Sequence, residues 1–337
     1  MRAVRGLALF ATMLFVIGAI AACGGGGETA DQAPATPQGL AEGAGFEGVH
    51  SGELEITLKI DRHKKKPEQI SMRILGSFTK ASEGKLPEID TGMESHGSFA
   101  GHEVDFNSGL TLSPKQAVVS YGPIEAEHTY QLDKGTFEEV KSSFEDALGE
   151  GGEGDAGACL SAVDDFNLAK VLRHISFDGK SETPDGERLE VLGADLNMPV
   201  LIDELVRLSE DEGCRAQLEA LSVPVNQLKA LEKQLASSLE AAQVTLEVDK
   251  NKLIHSLKVL LSIELPHNEK LEVEFAVRLT NINEITDVLE PQGEFSIEKL
   301  LKKFGVDSQQ VEEADSGERL TGFLEAARLG LFERGSP

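Results

Sequence analysis

The residues that could do chemistry are few: three cysteines, eight histidines, three Ser-x-x-Lys tetrads and many carboxylates. The tetrads are Ser77/Lys80, Ser82/Lys85 and Ser296/Lys299. A lysine three residues on can activate a serine, but no KTG or SDN segment accompanies any of them, so they show only how common the pattern is. His96, His102 and His128 fall near Asp105 on one run of short strands. Imidazole and carboxylate are zinc ligands, yet this spacing matches no usual ligand set. Surface or satisfied histidines are the expectation, with no metal. No HExxH, GxSxG or phosphate-loop pattern occurs, and Gly24–Gly27 lacks both a following GK[ST] and a preceding strand. The acidic Gly149–Gly157 stretch lacks calcium-loop spacing. Against a background of 58 Asp and Glu, paired carboxylates carry no information. The expectation is a protein with no catalytic residue and no cofactor.

The cysteines say more. Arg2 and Arg5 precede an apolar run, Leu7 to Ile20, which ends in Ala21-Ala22-Cys23. A basic start, a short apolar stretch and a small-residue junction describe a secretory signal peptide over 1–22. Ile20-Ala21-Ala22-Cys23 resembles the lipobox of bacterial lipoproteins. That resemblance implies a lipid thioether on Cys23 and an extracytoplasmic protein anchored to the cell membrane. An ordinary signal peptide or an uncleaved anchor is the alternative. Nothing after Cys23 reaches the roughly 18 consecutive apolar residues of a spanning helix. In such an oxidising compartment Cys159 and Cys214 are expected to pair. The bridge would close a loop of 56 residues, an effect of roughly 4 kcal/mol in the chain-entropy account. Two buried free thiols are the other reading.

Composition narrows the partners. The formal charge is −26, and −28 once Arg2 and Arg5 are removed. Phosphate backbones and anionic headgroups are repelled by such a surface, which excludes nucleic acid as an expected partner. With no Trp, two Tyr and 15 Phe, the core must be aliphatic, and aromatic platforms for sugars or peptides are disfavoured.

The elements that position these residues follow from periodicity. Residues 23–47 are Gly, Ala, Pro, Gln and acid, a linker that cannot bury enough surface to order itself. From Val49 the period is two. Leu54, Ile56, Leu58 and Ile60 make one strand, Asp61 to Pro67 a turn, and Ile70, Met72, Ile74 and Phe78 a second strand. The turn holds His63-Lys64-Lys65-Lys66, read as a solvated tip, with a membrane contact worth about 1 kcal/mol per basic residue as the sharper option. Leu86–Gly97 reads as loop, and short strands follow to Gln131. A block over 134–241 reads as helical: Lys134–Leu148, a helix carrying Leu168, Val171, Leu172 and Ile175, then Phe177–Val191 as hairpin or loop. Asn197 and Pro199 open another helix with Leu201, Leu205 and Leu208. Cys214–Leu221 is a short one, and Val223–Ala242 carries Leu228, Leu231, Leu235 and Leu239. Strands return over 243–286, with Leu257 to Leu265 and Leu271 to Leu279 alternating. Residues 297–304 read as a short helix and 306–337 as an acidic tail able to form an amphipathic one.

A lipobox, a linker, and strands such as Ser51-Gly52-Glu53-Leu54-Glu55-Ile56 and the run Gln243–Ile282 together resemble the LolA/LolB-like lipoproteins. In style they are closest to the LppX and LprG lipoproteins of actinobacteria. The resemblance spans 48–305 and implies an α+β fold: a curved antiparallel half-barrel sheet with helices on its concave face. It further implies a cavity that takes acyl chains. On strand alternation, the lining would be Leu58, Met72, Ile74, Leu201, Leu205, Leu231, Leu235, Val259, Leu261, Val273 and Phe275. The expected function is a monomeric, membrane-anchored binder or carrier of a lipid or other apolar ligand. A non-carrier envelope scaffold with a filled core is the alternative.

Overall fold

The computed structural model describes residues 36–46, 48–64, 67–79, 88–99, 102–122, 128–132, 134–135, 137–138, 141–142, 168–210, 214–215, 238–265, 269–284, 293–296 and 299. A short helix α1 (Pro37–Ala41) leads into strands β1 (Ser51–His63), β2 (Glu68–Thr79), β3 (Glu88–Phe99), β4 (His102–Leu112), β5 (Ala117–Gly122) and β6 (His128–Gln131). A 3-10 turn over Leu168–Val171 then opens β7 (Leu172–Glu182) and β8 (Arg188–Leu196). Helix α2 (Met198–Glu210) separates these from β9 (Leu239–Val248), β10 (Ile254–Leu265), β11 (Glu269–Thr280) and the two-residue β12 (Phe295–Ser296).

All twelve strands form one sheet in the order β12-β6-β5-β4-β3-β2-β1-β11-β10-β9-β8-β7. Two consecutive meanders, β1 to β6 and β7 to β11, meet along the β1–β11 seam. Every pairing is antiparallel except β12 with β6. Period-two alternation fixes which way the sheet faces, because a one-residue slip would turn every aliphatic side chain to the other face. Ile56 lies opposite Ile74 and Val277, Leu58 opposite Met72 and Phe275, and Ile60 opposite Ile70 and Val273. The rows continue through Val259 and Leu261 on β10 to Val244 and Ala242 on β9 and Ala194 on β8.

The opposite face is tiled with charge. Glu274 Oε2 accepts from Lys258 Nζ at 2.8 Å and its Oε1 lies 3.4 Å from Lys59 Nζ. Arg73 reaches Glu55 at 2.8 Å. Cross-strand pairs of this kind contribute a few tenths of a kcal/mol to about 1 kcal/mol each. Their larger effect is to keep the second face wet.

α2 forms where the signals place it. The Leu201 N–H donates to Asn197 O at 2.9 Å, and Pro199 occupies the first turn, where no donor is needed. Leu201, Ile202, Leu205 and Leu208 are at most 2% exposed. They share one buried cluster with Leu192, Leu246, Leu257, Val259, Leu261, Val273 and Phe275. Each such side chain contributes roughly 1.5–3 kcal/mol on burial.

Several expectations need correcting. Residues 86–97 are not a loop: β3 begins at Glu88 and pairs with both β2 and β4. Gly97 in this strand has φ +132°, and a Cβ there would run into the carbonyl of Gln69, so only glycine fits. The helix through Leu168 to Ile175 is instead a single 3-10 turn followed by edge strand β7. The block 134–241 is therefore not all helical, since 172–196 form a hairpin within the sheet. Of the expected Val223–Ala242 helix, residues 216–237 lie outside the described residues, and Leu239 pairs with Ile263 as part of β9. The returning strands thus start at 239, not 243. Nor is the linker structureless to 47. Thr36 caps α1 by accepting from Gly39 N–H at 3.1 Å, and Leu40, Ala41 and Phe46 are buried in the main cluster. The described pieces at 134–135, 137–138 and 141–142 are helical, with Phe137 buried against Leu112 and Ala117. The short helix at 297–304 and the tail at 306–337 lie outside the described residues apart from Lys299. The architecture is a large open antiparallel sheet with few helices among the described residues.

Candidate functional site

Seven of the eleven expected lining residues fall on the one aliphatic face of the sheet, Leu58, Met72, Ile74, Val259, Leu261, Val273 and Phe275, and two more, Leu201 and Leu205, lie on α2 in the same buried cluster as the face's core residues. Leu231 and Leu235 lie outside the described residues. The nine divide into two zones. Leu201, Leu205, Val259, Leu261, Val273 and Phe275 are 0–2% exposed, packed between α2 and β8 to β11. These side chains form buried core among the described residues. Leu58, joined by Leu54, Ile56 and Ile70, is only half-buried and packs along the border of that core, and Met72 and Ile74, opposite Leu58 and Ile56 on β2, are half-buried beyond it.

The half-buried stripe continues outward across the first meander. Ile74 lies opposite Met93, and Ser95 lies opposite Met72 and Phe106. The Phe106 and Tyr121 rings stand 6.3 Å apart, tilted by 39°. Met93, Phe106 and Tyr121 are half-buried as well. Ser95 is 0% exposed, and its hydroxyl has no hydrogen-bond partner among the described residues. The stripe therefore offers methionine, aliphatic and aromatic surface with few polar atoms, the kind of surface that takes up apolar matter without needing hydrogen bonds.

A groove of about 660 Å³ opens on the opposite face. Gly92 and Gly109 form part of its floor, and Glu53, Glu55, Asp90 and Arg278 stand along it. Leu75, Leu110 and Val118 also line it, so its walls mix charged, polar and apolar surface. The wider face is charged. Glu274 is held below its ordinary carboxyl pKa of 4.5, chiefly by Lys258, with burial opposing and the charges of Lys258 and Lys59 assisting. Glu272 is lowered likewise, first by Lys270 and then by His63.

The histidine group is not assembled. His96 Nδ1 lies 2.9 Å from Asp105 Oδ1 across the β3–β4 pair, and both are exposed. His128 stands three strands away on β6, roughly 14 Å at ordinary strand spacing. It lies 3.5 Å from Glu294 and packs edge-on against Phe295. The side chain of His102 lies outside the described residues. At the basic tip, His63 pairs with Glu272 at 3.1 Å and Lys64 with Glu68. Half of that cluster is thus neutralised within the protein, and Lys65 and Lys66 lie outside the described residues. Cys214 is 1% exposed, while Cys23 and Cys159 lie outside the described residues. No helix among the described residues is long and apolar enough to cross a membrane.

One group of donor atoms has no counterpart in the sequence reading. Glu187, Asp249 and His255 converge where the β7–β8 and β9–β10 turns meet. Glu187, far from Asp249 and His255 in the chain, joins them only through the β8–β9–β10 pairing.

No protein-family model matches the sequence, and no curated protein matches it. Among solved structures, a LolA superfamily protein from Nitrosomonas europaea is 9% identical, with 76% of this chain covering 100% of that one at a TM-score of 0.18. A DUF1329 family protein from Desulfovibrio piger is also 9% identical, with 74% of this chain covering 93% of that one, again at a TM-score of 0.18. At these TM-scores neither likeness bears on function.

Proposed function

We propose that this chain is an extracytoplasmic lipoprotein, anchored to the cell membrane through lipid on Cys23. Its half-buried aliphatic stripe binds or carries a lipid or another apolar ligand. The stripe formed by Leu54, Ile56, Leu58, Ile70, Met72 and Ile74 is the observation that carries this reading, since it extends the apolar face beyond the packed core. The site is thus narrower than the eleven residues suggest. Leu58, Met72 and Ile74 belong to the binding surface, whereas Leu201, Leu205, Val259, Leu261, Val273 and Phe275 belong to the core that supports it. A half-barrel closed by helices is the form such a carrier would take. The chain acts as a monomer and performs no catalytic step. Nucleic acid is not a partner at a net charge of −26.

Native mass spectrometry of the full chain purified with envelope lipids tests the reading. Retained lipid, and uptake of a fluorescent fatty acid that Met72→Trp abolishes, support it. A ligand-free protein that takes up no fatty acid removes it. A second reading is favoured by the 0–2% exposure of the six core residues: an anchored scaffold whose interior is filled throughout. It predicts no uptake and no change in uptake on substitution of Met72. Anchoring is tested separately, since Cys23→Ala should move the protein from the membrane fraction to the soluble one.

A further inference from the structure

The turn end of the second meander holds three donor side chains that the proposed lipid surface does not use. Glu187 follows the β7–β8 turn, Asp249 begins the β9–β10 turn, and His255 is the second residue of β10. One ligand atom from each lies within 4.8 Å of the other two.

His255 is placed there by the backbone. The β9–β10 register slips between Ile254/Val248 and Ser256/Glu247, so His255 is the extra residue of a β-bulge. Bulges re-aim a side chain, and they recur beside functional sites. The His255 side chain is 9% exposed, and its Nε2 has no hydrogen bond among the described residues. Asp249 Oδ2, at 3.8 Å, is the nearest charged partner and lies too far for one. A buried imidazole nitrogen without a partner costs about 1–3 kcal/mol, so such an atom calls for an explanation.

The Asp249 carboxylate is held in place beside it. Its Oδ1 accepts from the backbone N–H of Asn251 and of Leu253, each at 2.8 Å. Its Oδ2 accepts only a 3.3 Å bond from Asn251 Nδ2 and faces the imidazole. Hydrogen bonds of this kind fix a carboxylate for coordination. Glu187 is half-buried. Its backbone N–H donates to Thr183 Oγ1 at 2.9 Å, while its carboxylate has no hydrogen bond or ion pair among the described residues.

We propose that Glu187, Asp249 and His255 form a binding site for a divalent first-row transition cation of the zinc class. One imidazole nitrogen and two carboxylate oxygens suit zinc, whereas Ca²⁺ and Mg²⁺ prefer oxygen alone and more of it. On one tetrahedral zinc, two donors stand roughly 3.3 Å apart at ordinary bond lengths. The 3.8 Å between His255 and Asp249 therefore closes with a small side-chain rotation. Three protein ligands leave the fourth position to water. The ion would clasp the edge hairpin β7–β8 to the β9–β10 turn, where Gly45 of the N-terminal stretch also bridges Leu253. Its role is structural.

The test uses the full chain, stripped of metal by chelator and titrated with Zn²⁺ in excess Mg²⁺ and Ca²⁺. One saturable equivalent should bind and raise the melting temperature. Co²⁺ should bind in the same stoichiometry and give visible d–d absorption. His255→Gln and Glu187→Gln should each weaken Zn²⁺ binding by more than about tenfold, with loss of the Co²⁺ spectrum and of the thermal shift. Glu187 lies on a turn and supports no described contact with its carboxylate, so its variant stays informative should the His255 variant fold poorly. Absence of a single saturable site overturns the proposal. So does Zn²⁺ binding that persists unchanged in the Glu187 variant, which would assign the ion to the acidic surface at large.

Discussion

Replacing Leu261 by tryptophan separates a packed interior from a hollow one. Leu261 is 0% exposed and sits between Val273 on β11 and Ala242 on β9. Ala242 is the small residue beside which the leucine fits, so an indole has to push strands or α2 apart. Overpacking of this kind costs about 1–3 kcal/mol. In a body of this size each kcal/mol lowers the melting temperature by roughly 2–4 °C. The expected fall is therefore about 2–12 °C, read by circular dichroism or scanning fluorimetry. Met72→Trp, in the half-buried stripe, should change stability by no more than about 0.5 kcal/mol, because that side chain is only half-buried. Fatty-acid uptake should respond in the opposite order: retained in Leu261→Trp below its melting point and lost in Met72→Trp. A Leu261→Trp protein that melts like the parent and no longer takes up ligand would refute the division into core and binding surface.

Three further outcomes follow from particular contacts. Non-reducing peptide mapping should recover Cys159 joined to Cys214, and Cys214→Ser should cost roughly 4 kcal/mol in urea unfolding. Recovery of both residues as free thiols would refute the pairing. Glu274 has a folded pKa below its ordinary 4.5. Its ion pair with Lys258 thus stabilises the protein above that value, and the contribution is lost as pH falls through the depressed pKa. The gap in urea midpoint between the parent and Lys258→Met should therefore narrow below pH 4.5, and a gap that stays constant would contradict it. Gly97→Ala forces φ +132° on a residue with a Cβ and drives that atom into the β2 backbone. It should destabilise by more than about 1 kcal/mol, and near-neutral unfolding data would rule that strain out.

The seam of the sheet could be read from the chain because its strands are wet on one face only. Leu54 to Ile60, Leu257 to Ile263 and Leu271 to Leu279 alternate cleanly, and each pairs as alternation requires. Reading failed where that asymmetry fades. β7 is an edge strand, exposed along most of its length, with bulges between Arg173 and Ser176 and between Phe177 and Gly179. Those bulges, and a left-handed His174 at φ 54°, break the period of two. Leu168, Val171, Leu172 and Ile175 then imitate a helical stripe. β3 failed for another reason. Its sequence Glu-Ile-Asp-Thr-Gly-Met-Glu-Ser-His-Gly-Ser-Phe is too polar to advertise a strand, and it is held by β2 and β4 on either side. The cation site was invisible because Glu187 and His255 become neighbours only after β8, β9 and β10 align. The one local hint was Asp249, an Asp-x-Asn turn whose side chain folds back on its own backbone.

The docking of the N-terminal stretch has a mechanical consequence. Gly45 N–H donates to Lys252 O at 3.1 Å, Ile254 N–H donates to Gly45 O at 2.9 Å, and Leu40 and Phe46 are buried beneath. The body therefore already includes Thr36, within the stretch expected to be linker up to residue 47. Twelve residues lie between Cys23 and Thr36, a span of at most about 45 Å when fully drawn out. A lipid-held Cys23 would pull on the body off-centre, beside the β9–β10 turn. A body hung that way pivots about one corner instead of tumbling freely, so the membrane meets a restricted set of its faces.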